Sequence, residues 1–184
     1  DNSIKKLQID SPIIISSNGT INRLGLKTLY KENSFFSTFS NNPNFDDCNN
    51  LIKFCKKREF DGVIAIGGGS AMDISKVAIS AISLKKSEVI ELIDYKNRYP
   101  KVIPSIFIPT THGTASEVTQ WATIWNTFEK KKYSLSSFDL YPTTAILDGS
   151  LTLSLPMDVS ISTTLDALSH SFEAIWNKNA NKKS

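Results

Sequence analysis

The chain has 184 residues, of which 40% are hydrophobic and 21% charged, and its formal net charge is +3. This composition is ordinary for a globular protein that is long enough for one complete core and part of a second. The small positive charge gives no indication of nucleic-acid binding, and no apolar run has membrane-spanning length. We therefore expect a protein that binds neither nucleic acid nor membrane. The lack of a signal-peptide pattern at the N-terminus favours the cytoplasm.

Strand and helix patterns alternate through the first half of the chain. The sequence predicts the end of a helix over 3–8, a strand over 12–16, a helix over 18–32, a strand over 35–39 and a helix beginning at Asp46 or Asp47. Cys48 and Cys55 share one face of that last helix and are interpreted as packed free thiols, since neither a CxxC motif nor a disulfide framework is present.

A buried strand over 63–66 precedes three consecutive glycines, after which Ser70 is the predicted N-cap of a helix. The apolar face of this helix is formed by Met72, Ile74, Val77, Ala78 and Ala81. A glycine turn lets backbone N–H groups approach an anion, and the helix start adds a positive dipole end, so the turn suits the phosphates of a nucleotide. The spacing matches neither G-x-G-x-x-G nor a Walker loop, and a tight turn without a ligand is the alternative interpretation.

The later elements continue the alternation. A short helix is predicted within 85–95, a strand over 103–108 that Pro104 interrupts, a hairpin of 121–125 with 133–137, and a final strand over 144–147. The run 109–117 is dense in hydroxyls and follows a strand, at the sheet edge where open α/β sheets hold ligands. The whole pattern is typical of an α/β fold: a Rossmann-like parallel sheet with helices on both faces.

The character of the chain changes near residue 150. Residues 157–176 contain neither glycine nor proline and predict one long helix. Asp166 and His170 lie four residues apart on one face of it, where both can reach a single divalent cation, although a surface ion pair is the alternative. We therefore predict a nucleotide-binding domain over 1–150 and the beginning of a helical, metal-binding domain over 151–184.

Four motifs together resemble the iron-dependent (group III) alcohol dehydrogenases. They are Gly67-Gly68-Gly69-Ser70 with Asp73 and Lys76, the threonine-rich run 109–117, the segment 148–156, and Asp166-Ala167-Leu168-x-His170 with Glu173 and Ala174. The resemblance implies a dehydroquinate synthase-like architecture of which this chain is the N-terminal half. It also implies a homodimer for the full-length protein.

The resemblance assigns roles to the matching positions. It implies that the cofactor pyrophosphate is held by Gly68, Gly69, Ser70 and Asp73, that its ribose and nicotinamide side is lined by Thr110, Thr111, Thr114, Thr119 and Trp121, and that Lys132 and Leu151 make further cofactor contacts. Asp166 and His170 match the first two metal ligands, which two later histidines complete in relatives. The implied cofactors are NAD or NADP and Fe²⁺, with Zn²⁺ as the other candidate metal.

The implied reaction is hydride transfer between NAD(P)H and a small aldehyde whose oxygen the metal polarises. The segments 39–43, 133–136 and 174–181 resemble the branch that reduces phosphonoacetaldehyde to 2-hydroxyethylphosphonate. The alternatives are a general aldehyde or alcohol reductase, a dehydroquinate synthase-like lyase, and a nucleotide-binding module without turnover. Ser17 replaces an acid that repels a 2′-phosphate in many relatives, so NADP stays open. His112 replaces a small residue, and either touches substrate or nicotinamide or has no catalytic role.

Overall fold

The computed structural model describes residues 2–182. Its strands are β1 (Pro12–Ile15), β2 (Phe35–Phe36), β3 (Gly62–Gly67), β4 (Ser105–Pro109), β5 (Trp121–Asn126), β6 (Lys131–Ser136) and β7 (Thr144–Ala145). Its helices are α1 (Asn2–Lys6), α2 (Asn18–Arg23), α3 (Phe45–Cys55), α4 (Gly69–Leu84), α5 (Val89–Ile93) and α6 (Met157–Trp176). Short 3₁₀ turns occur at Leu26–Thr28, Glu32–Ser34, Ser116–Val118, Phe138–Leu140 and Gly149–Thr152.

Five parallel strands form the sheet, in the order β2-β1-β3-β4-β7. The central strand β3 pairs with β1 on one side and with β4 on the other. The remaining two strands, β5 and β6, form a separate antiparallel hairpin, as predicted. Because all strands of the main sheet are parallel, the loops that follow β1, β3 and β4 leave from the same edge.

The sheet is covered on both faces, which confirms the predicted α/β class. Val63 and Ala65 of β3 belong to the larger core, which also includes buried residues of α3, α4 and α5. Ile64 and Ile66 belong to a smaller core with Ile21 of α2. Successive strand residues point to opposite faces, so the continuous apolar run of β3 is buried on both.

Helix α4 is buried around most of its circumference. The predicted apolar positions are all buried, and so are the polar residues Ser75, Lys76 and Ser80. Two of these polar groups have simple partners: the Ser75 hydroxyl donates to the Ala71 carbonyl at 2.6 Å, and the Ser80 hydroxyl lies 2.8 Å from the Tyr99 hydroxyl. The side of α4 that faces away from the sheet is covered by α3, α5 and the β5–β6 hairpin.

Several predicted elements differ from the structure in length. The helix predicted over 18–32 ends at Arg23, because Gly25 adopts a left-handed φ of 60°, and 3₁₀ turns follow. The strand predicted over 103–108 begins at Ser105, after Pro104, which has no N–H for the ladder. The strands predicted over 35–39 and 144–147 shorten to the two-residue β2 and β7, which pair with one neighbour each at the sheet edges.

The observed helix boundaries also differ slightly from the predicted ones. Helix α3 begins at Phe45, because Asn44 accepts from the Asp47 N–H at 2.9 Å and donates its own N–H to the Asp47 carboxylate at 3.1 Å. The short helix predicted within 85–95 covers Val89–Ile93. Helix α6 occupies the predicted range. Across residues 2–182, none of the helices is both long enough and apolar enough to cross a membrane.

The two cysteines are buried free thiols, as predicted. Burial raises the pKa of the Cys55 thiol to about 12 and raises the pKa of Cys48 as well, the latter with help from the nearby Asp47 and Asp73 carboxylates. Since the reactive species is the thiolate, we expect a disulfide reagent such as DTNB to label neither thiol readily in the native protein at about pH 8. Labelling in urea serves as the control, and rapid native labelling would contradict this packing.

Candidate functional site at the carboxyl edge of the sheet

The glycine turn and the threonine-rich run lie side by side. Strands β3 and β4 stay paired to their last residues, Gly67 with Pro109. The next residue, Thr110, donates its N–H to the Gly67 carbonyl at 2.9 Å. Thr110 itself is buried, so it fixes the start of the run that continues to Thr119, which we call the threonine loop. The structure thus brings two predicted cofactor segments to one edge.

Two glycines contact two threonines across this edge. A Cβ built on Gly68 would lie 3.1 Å from Thr111 Cγ2, and one built on Gly69 would lie 3.0 Å from Thr114 Cγ2. These distances are shorter than ordinary van der Waals contacts, so a side chain at either glycine requires the threonine to shift. The glycines therefore allow the two loops to touch while the backbone stays accessible from outside.

The N-terminus of α4 lies at the same place. The predicted N-cap, Ser70, is wrong: α4 begins at Gly69, Gly68 occupies the N-cap position, and no side chain caps it. The Ser70 hydroxyl instead donates to the Asn41 carbonyl. The first turn of a helix leaves N–H groups without intrahelical partners, and the positive end of the dipole adds to them. An uncapped start beside a glycine turn is chemically suited to a phosphate group.

Asp73 lies one turn further along α4 and turns towards the threonine loop and the hairpin. One carboxylate oxygen accepts from the Ser116 hydroxyl at 2.9 Å and the other from the Thr123 N–H at 3.1 Å. Burial raises the pKa of this carboxyl, while the Thr123 N–H, the Lys76 ammonium and the Ser116 hydroxyl act in the opposite direction. The predicted pyrophosphate role of Asp73 stays a prediction, and its contacts in the structure are with the protein.

The other predicted cofactor residues lie at three places around this edge. Thr119 ends the threonine loop and Trp121 begins β5, and the Trp121 side chain is half exposed. The Lys132 ammonium stacks 4.6 Å above the ring centre of Trp125, its partner across the hairpin. Leu151 is in the 3₁₀ turn Gly149–Thr152, which also contains the predicted domain boundary. These roles and that boundary stay predictions.

Helix α6 carries the predicted metal pair. Asp166 Oδ2 lies 3.9 Å from His170 Nδ1, and both side chains are about half exposed, so one cation can approach both. Among residues 2–182 no third histidine, cysteine, aspartate or glutamate joins them. The donor chemistry fits part of a site for Fe²⁺ or Zn²⁺, with two ligands from this chain.

The same helix docks on the threonine loop. Gly113 has a φ of 136°, and a Cβ there would lie 2.1 Å from the Thr163 carbonyl oxygen of α6. Its neighbour His112 places Nε2 3.1 Å from the Ser160 hydroxyl. His112 therefore contacts α6 in this structure. The close approach of α6 depends on the absence of a side chain at residue 113.

Sequence reasoning assigned no role to Ser116 and Thr123, although both hold Asp73. The available signal was the opposite charges of Asp73 and Lys76, which lie three residues apart and are the two charged residues of α4. Charged residues are rarely buried without partners, so this spacing predicts polar groups packed against these two side chains. It does not predict which ones, because the partners lie 40 or more residues away.

The fold and this edge define a parallel α/β domain with an open, glycine-rich helix start, followed by a helix that carries a carboxylate–imidazole pair. Residues 1–149 match the family model of the iron-containing alcohol dehydrogenases. The chain belongs to this family, which confirms the resemblance seen in the sequence.

Individual relatives agree with the family match. The NADH-dependent butanol dehydrogenase A of Clostridium acetobutylicum is 31% identical over 172 residues, which cover 89% of this chain and 44% of the relative. The sulfoacetaldehyde reductase of Bifidobacterium kashiwanohense, solved with NAD⁺, superposes with a TM-score of 0.85 at 30% identity, covering 96% of this chain and 48% of that one. An iron-containing alcohol dehydrogenase of Thermotoga maritima gives a TM-score of 0.85 at 28% identity, with 99% and 52% covered. The chain thus spans about half the length of these relatives.

The contact between the glycine turn and the threonine loop yields a first test of the site. We expect Gly68→Val to weaken NADH binding by at least about tenfold, because its side chain displaces Thr111 and covers the helix start. Binding is measured by NADH fluorescence titration. Asn97→Val, at an exposed position between α5 and β4, is the control. Unchanged NADH affinity in a folded Gly68→Val variant would contradict a nucleotide site here.

Proposed function

We propose that this chain is the cofactor-binding part of a metal-dependent aldehyde reductase that transfers hydride from NAD(P)H to a small aldehyde, and in reverse oxidises the alcohol. The observation that carries the proposal is the docking of α6 on the threonine loop at Gly113. This contact brings the carboxylate–imidazole pair of α6 and the edge that suits a dinucleotide onto neighbouring elements.

A nicotinamide dinucleotide is the cofactor that the relatives support. The butanol dehydrogenase relative is NADH-dependent, and the sulfoacetaldehyde reductase was solved with NAD⁺. In this chain neither residue between β1 and α2 has a carboxylate: Ser16 follows β1, and Ser17 caps α2, accepting from the Thr20 N–H at 3.2 Å. Since no acid there repels a 2′-phosphate, we include NADPH as a cofactor candidate.

Asp166 and His170 are the residues of this chain that would hold the metal. When bound, such a cation acts as a Lewis acid towards the oxygen of the aldehyde. The chain's own part is to present an oxygen and a nitrogen donor from one helix face, and to fix that helix against the threonine loop. The remaining ligands come from outside residues 2–182.

For the substrate we propose a short aldehyde with a tetrahedral oxyanion group, and phosphonoacetaldehyde in particular, which would yield 2-hydroxyethylphosphonate. Support comes from the sequence resemblance to that branch and from the likeness to a sulfoacetaldehyde reductase. Sulfonate and phosphonate share three acceptor oxygens on a tetrahedral centre, although their charges differ.

A general alcohol dehydrogenase is the second candidate, supported by the butanol dehydrogenase relative. The family match favours both over a lyase.

Two further expectations are proposals at the same level. The first is a cytoplasmic location for the full-length protein. A homodimer is supported by the family resemblance. Size-exclusion chromatography with light scattering tests the second.

The proposed reaction is tested by following NADH and NADPH oxidation with phosphonoacetaldehyde, sulfoacetaldehyde and butyraldehyde, each with Fe²⁺ or Zn²⁺. The full-length protein and the 184-residue chain are assayed in parallel. We expect turnover by the full-length protein with the highest kcat/KM for phosphonoacetaldehyde, and NADH binding without turnover by the shorter chain. Highest kcat/KM for butyraldehyde would select the general alcohol dehydrogenase. No oxidation with any metal and aldehyde would contradict the proposal.

The metal pair gives a separate prediction. We expect Asp166→Ala and His170→Ala in the full-length protein to lose bound metal while their NADH affinity stays within about twofold, because each removes a ligand without touching the glycine turn. Metal content after purification and NADH titration are the two measurements. Asp158→Ala, an exposed acid in the first turn of α6, is the matched control. Full metal retention by either ligand variant would contradict the assignment.

A further inference from the structure

Helix α4 contains a lysine whose side chain is completely buried. Lys76 has 0% exposure, and its ammonium donates to the Ser116 hydroxyl at 2.8 Å, the Thr119 hydroxyl at 3.0 Å and the Trp121 carbonyl at 2.6 Å. An ammonium has three N–H donors, so each one is used. All three acceptors belong to the end of the threonine loop and the first residue of β5.

Asp73, one turn earlier on α4, contacts the same segment. Because the Ser116 hydroxyl donates to Asp73, it uses a lone pair to accept from Lys76, and the three groups form a chain of hydrogen bonds. The second oxygen of Asp73 accepts from the Thr123 N–H. Lys76 and Asp73 thus bind two points of β5 that lie two residues apart.

Lys76 and Asp73 bind backbone groups on the edge of β5 that faces away from β6. In a strand, the carbonyl of Trp121 and the N–H groups of Thr123 and Trp125 point to the same side. Lys76 donates to the Trp121 carbonyl, and Asp73 accepts from the Thr123 N–H. The Trp125 N–H donates to the Pro43 carbonyl at 2.9 Å. Lys76 and Asp73 therefore fix this edge of the hairpin to α4, in addition to the apolar packing of Ala122, Ile124 and Leu135 in the core, and the Pro43 carbonyl fixes its far end.

We propose that Lys76 is a positioning residue for the dinucleotide: it fixes Thr119 and Trp121, and through the hairpin Lys132, at the places where they contact the cofactor. The inference rests on the proposed function, which assigns those three residues to the cofactor site. Helix α4 begins at the glycine turn and carries Lys76 seven residues after Gly69. The same rigid element therefore fixes both the phosphate end and the opposite wall of the site.

The charge state of Lys76 provides a readout that simple packing would not give. Burial lowers the pKa of Lys76 to about 8, against the attraction of Asp73 on its own helix and of Glu117 on the 3₁₀ turn. The other titratable group near Asp73 is the Cys48 thiol of α3, whose raised pKa keeps it neutral. Once Lys76 loses its proton, the neutral amine has two N–H donors for the three acceptor oxygens of Ser116, Thr119 and Trp121. Its attraction to the Asp73 and Glu117 carboxylates also disappears. The hairpin is then held less firmly.

The test is NADH affinity from about pH 6.5 to about pH 9.5, which brackets the lysine titration. In the unaltered chain we expect the Kd to rise several-fold as the pH passes about 8. Lys76→Met, which removes all three hydrogen bonds of the ammonium, should bind NADH at least about tenfold more weakly at neutral pH and should show no such rise. Lys132→Met removes a proposed cofactor contact without changing the buried network, so its binding is weaker but its pH dependence is retained.

The possible failures are distinguishable. If the unaltered chain binds neither NADH nor NADPH, the proposed function is wrong. If it binds NADH, and Lys76→Met binds equally well with the same pH dependence, the positioning role is wrong. Should Lys76→Met not fold, Ser116→Ala replaces it, since it breaks the link between Asp73 and Lys76: weaker NADH binding supports the role, and unchanged affinity overturns it. Hydrogen exchange at the Thr123 amide, expected to speed up in either variant, reports the hairpin position directly.

Discussion

The pairing of β3 with β4 up to their last residues determines the arrangement of the whole carboxyl edge. The ladder reaches Gly67 and Pro109, and the Thr110 N–H adds one more bond to the Gly67 carbonyl. Parallel strands release their loops at the same edge, so the glycine turn and the threonine loop must start side by side. The contacts of Gly68 and Gly69 with the threonines follow from that start.

Helix α4 packs between the sheet and the β5–β6 hairpin, and the two surfaces need different side chains. One side packs on the sheet, and the other meets the outer edge of the hairpin, which has no neighbouring strand. Such an edge is a liability if it stays open, and an apolar helix face would leave its N–H and C=O groups buried without partners. Lys76 and Asp73 supply one donor group and one acceptor group there. Hydrogen bonds and mutual attraction offset part of the desolvation of the two charges, and the same bonds hold the hairpin in place.

The parts of the fold that the sequence predicted well are those with long, regular patterns. The run of β3 and the apolar face of α4 are recognisable locally, because burial on a known period determines them. The full length of α6, which has no buried residue, is recognisable because neither glycine nor proline interrupts 157–176. The helix at 18–32 and the edge strands were overestimated, since a single left-handed glycine or a missing neighbour ends them. The partners of Lys76 were not predictable, because 40 to 45 residues separate them from it along the chain. The start of α4 was misread at Ser70, whose hydroxyl binds Asn41.

The contact between α6 and the threonine loop links the two halves of the candidate site. Thr163 approaches Gly113, and Asp166 follows three residues later, which is about 4.5 Å further along a helix axis. The carboxylate–imidazole pair therefore begins within one turn of the loop. A side chain at Gly113 would meet the Thr163 carbonyl and move that pair away. The position of the carboxylate–imidazole pair thus depends on a glycine of the threonine loop, which couples this pair to the edge that suits a dinucleotide.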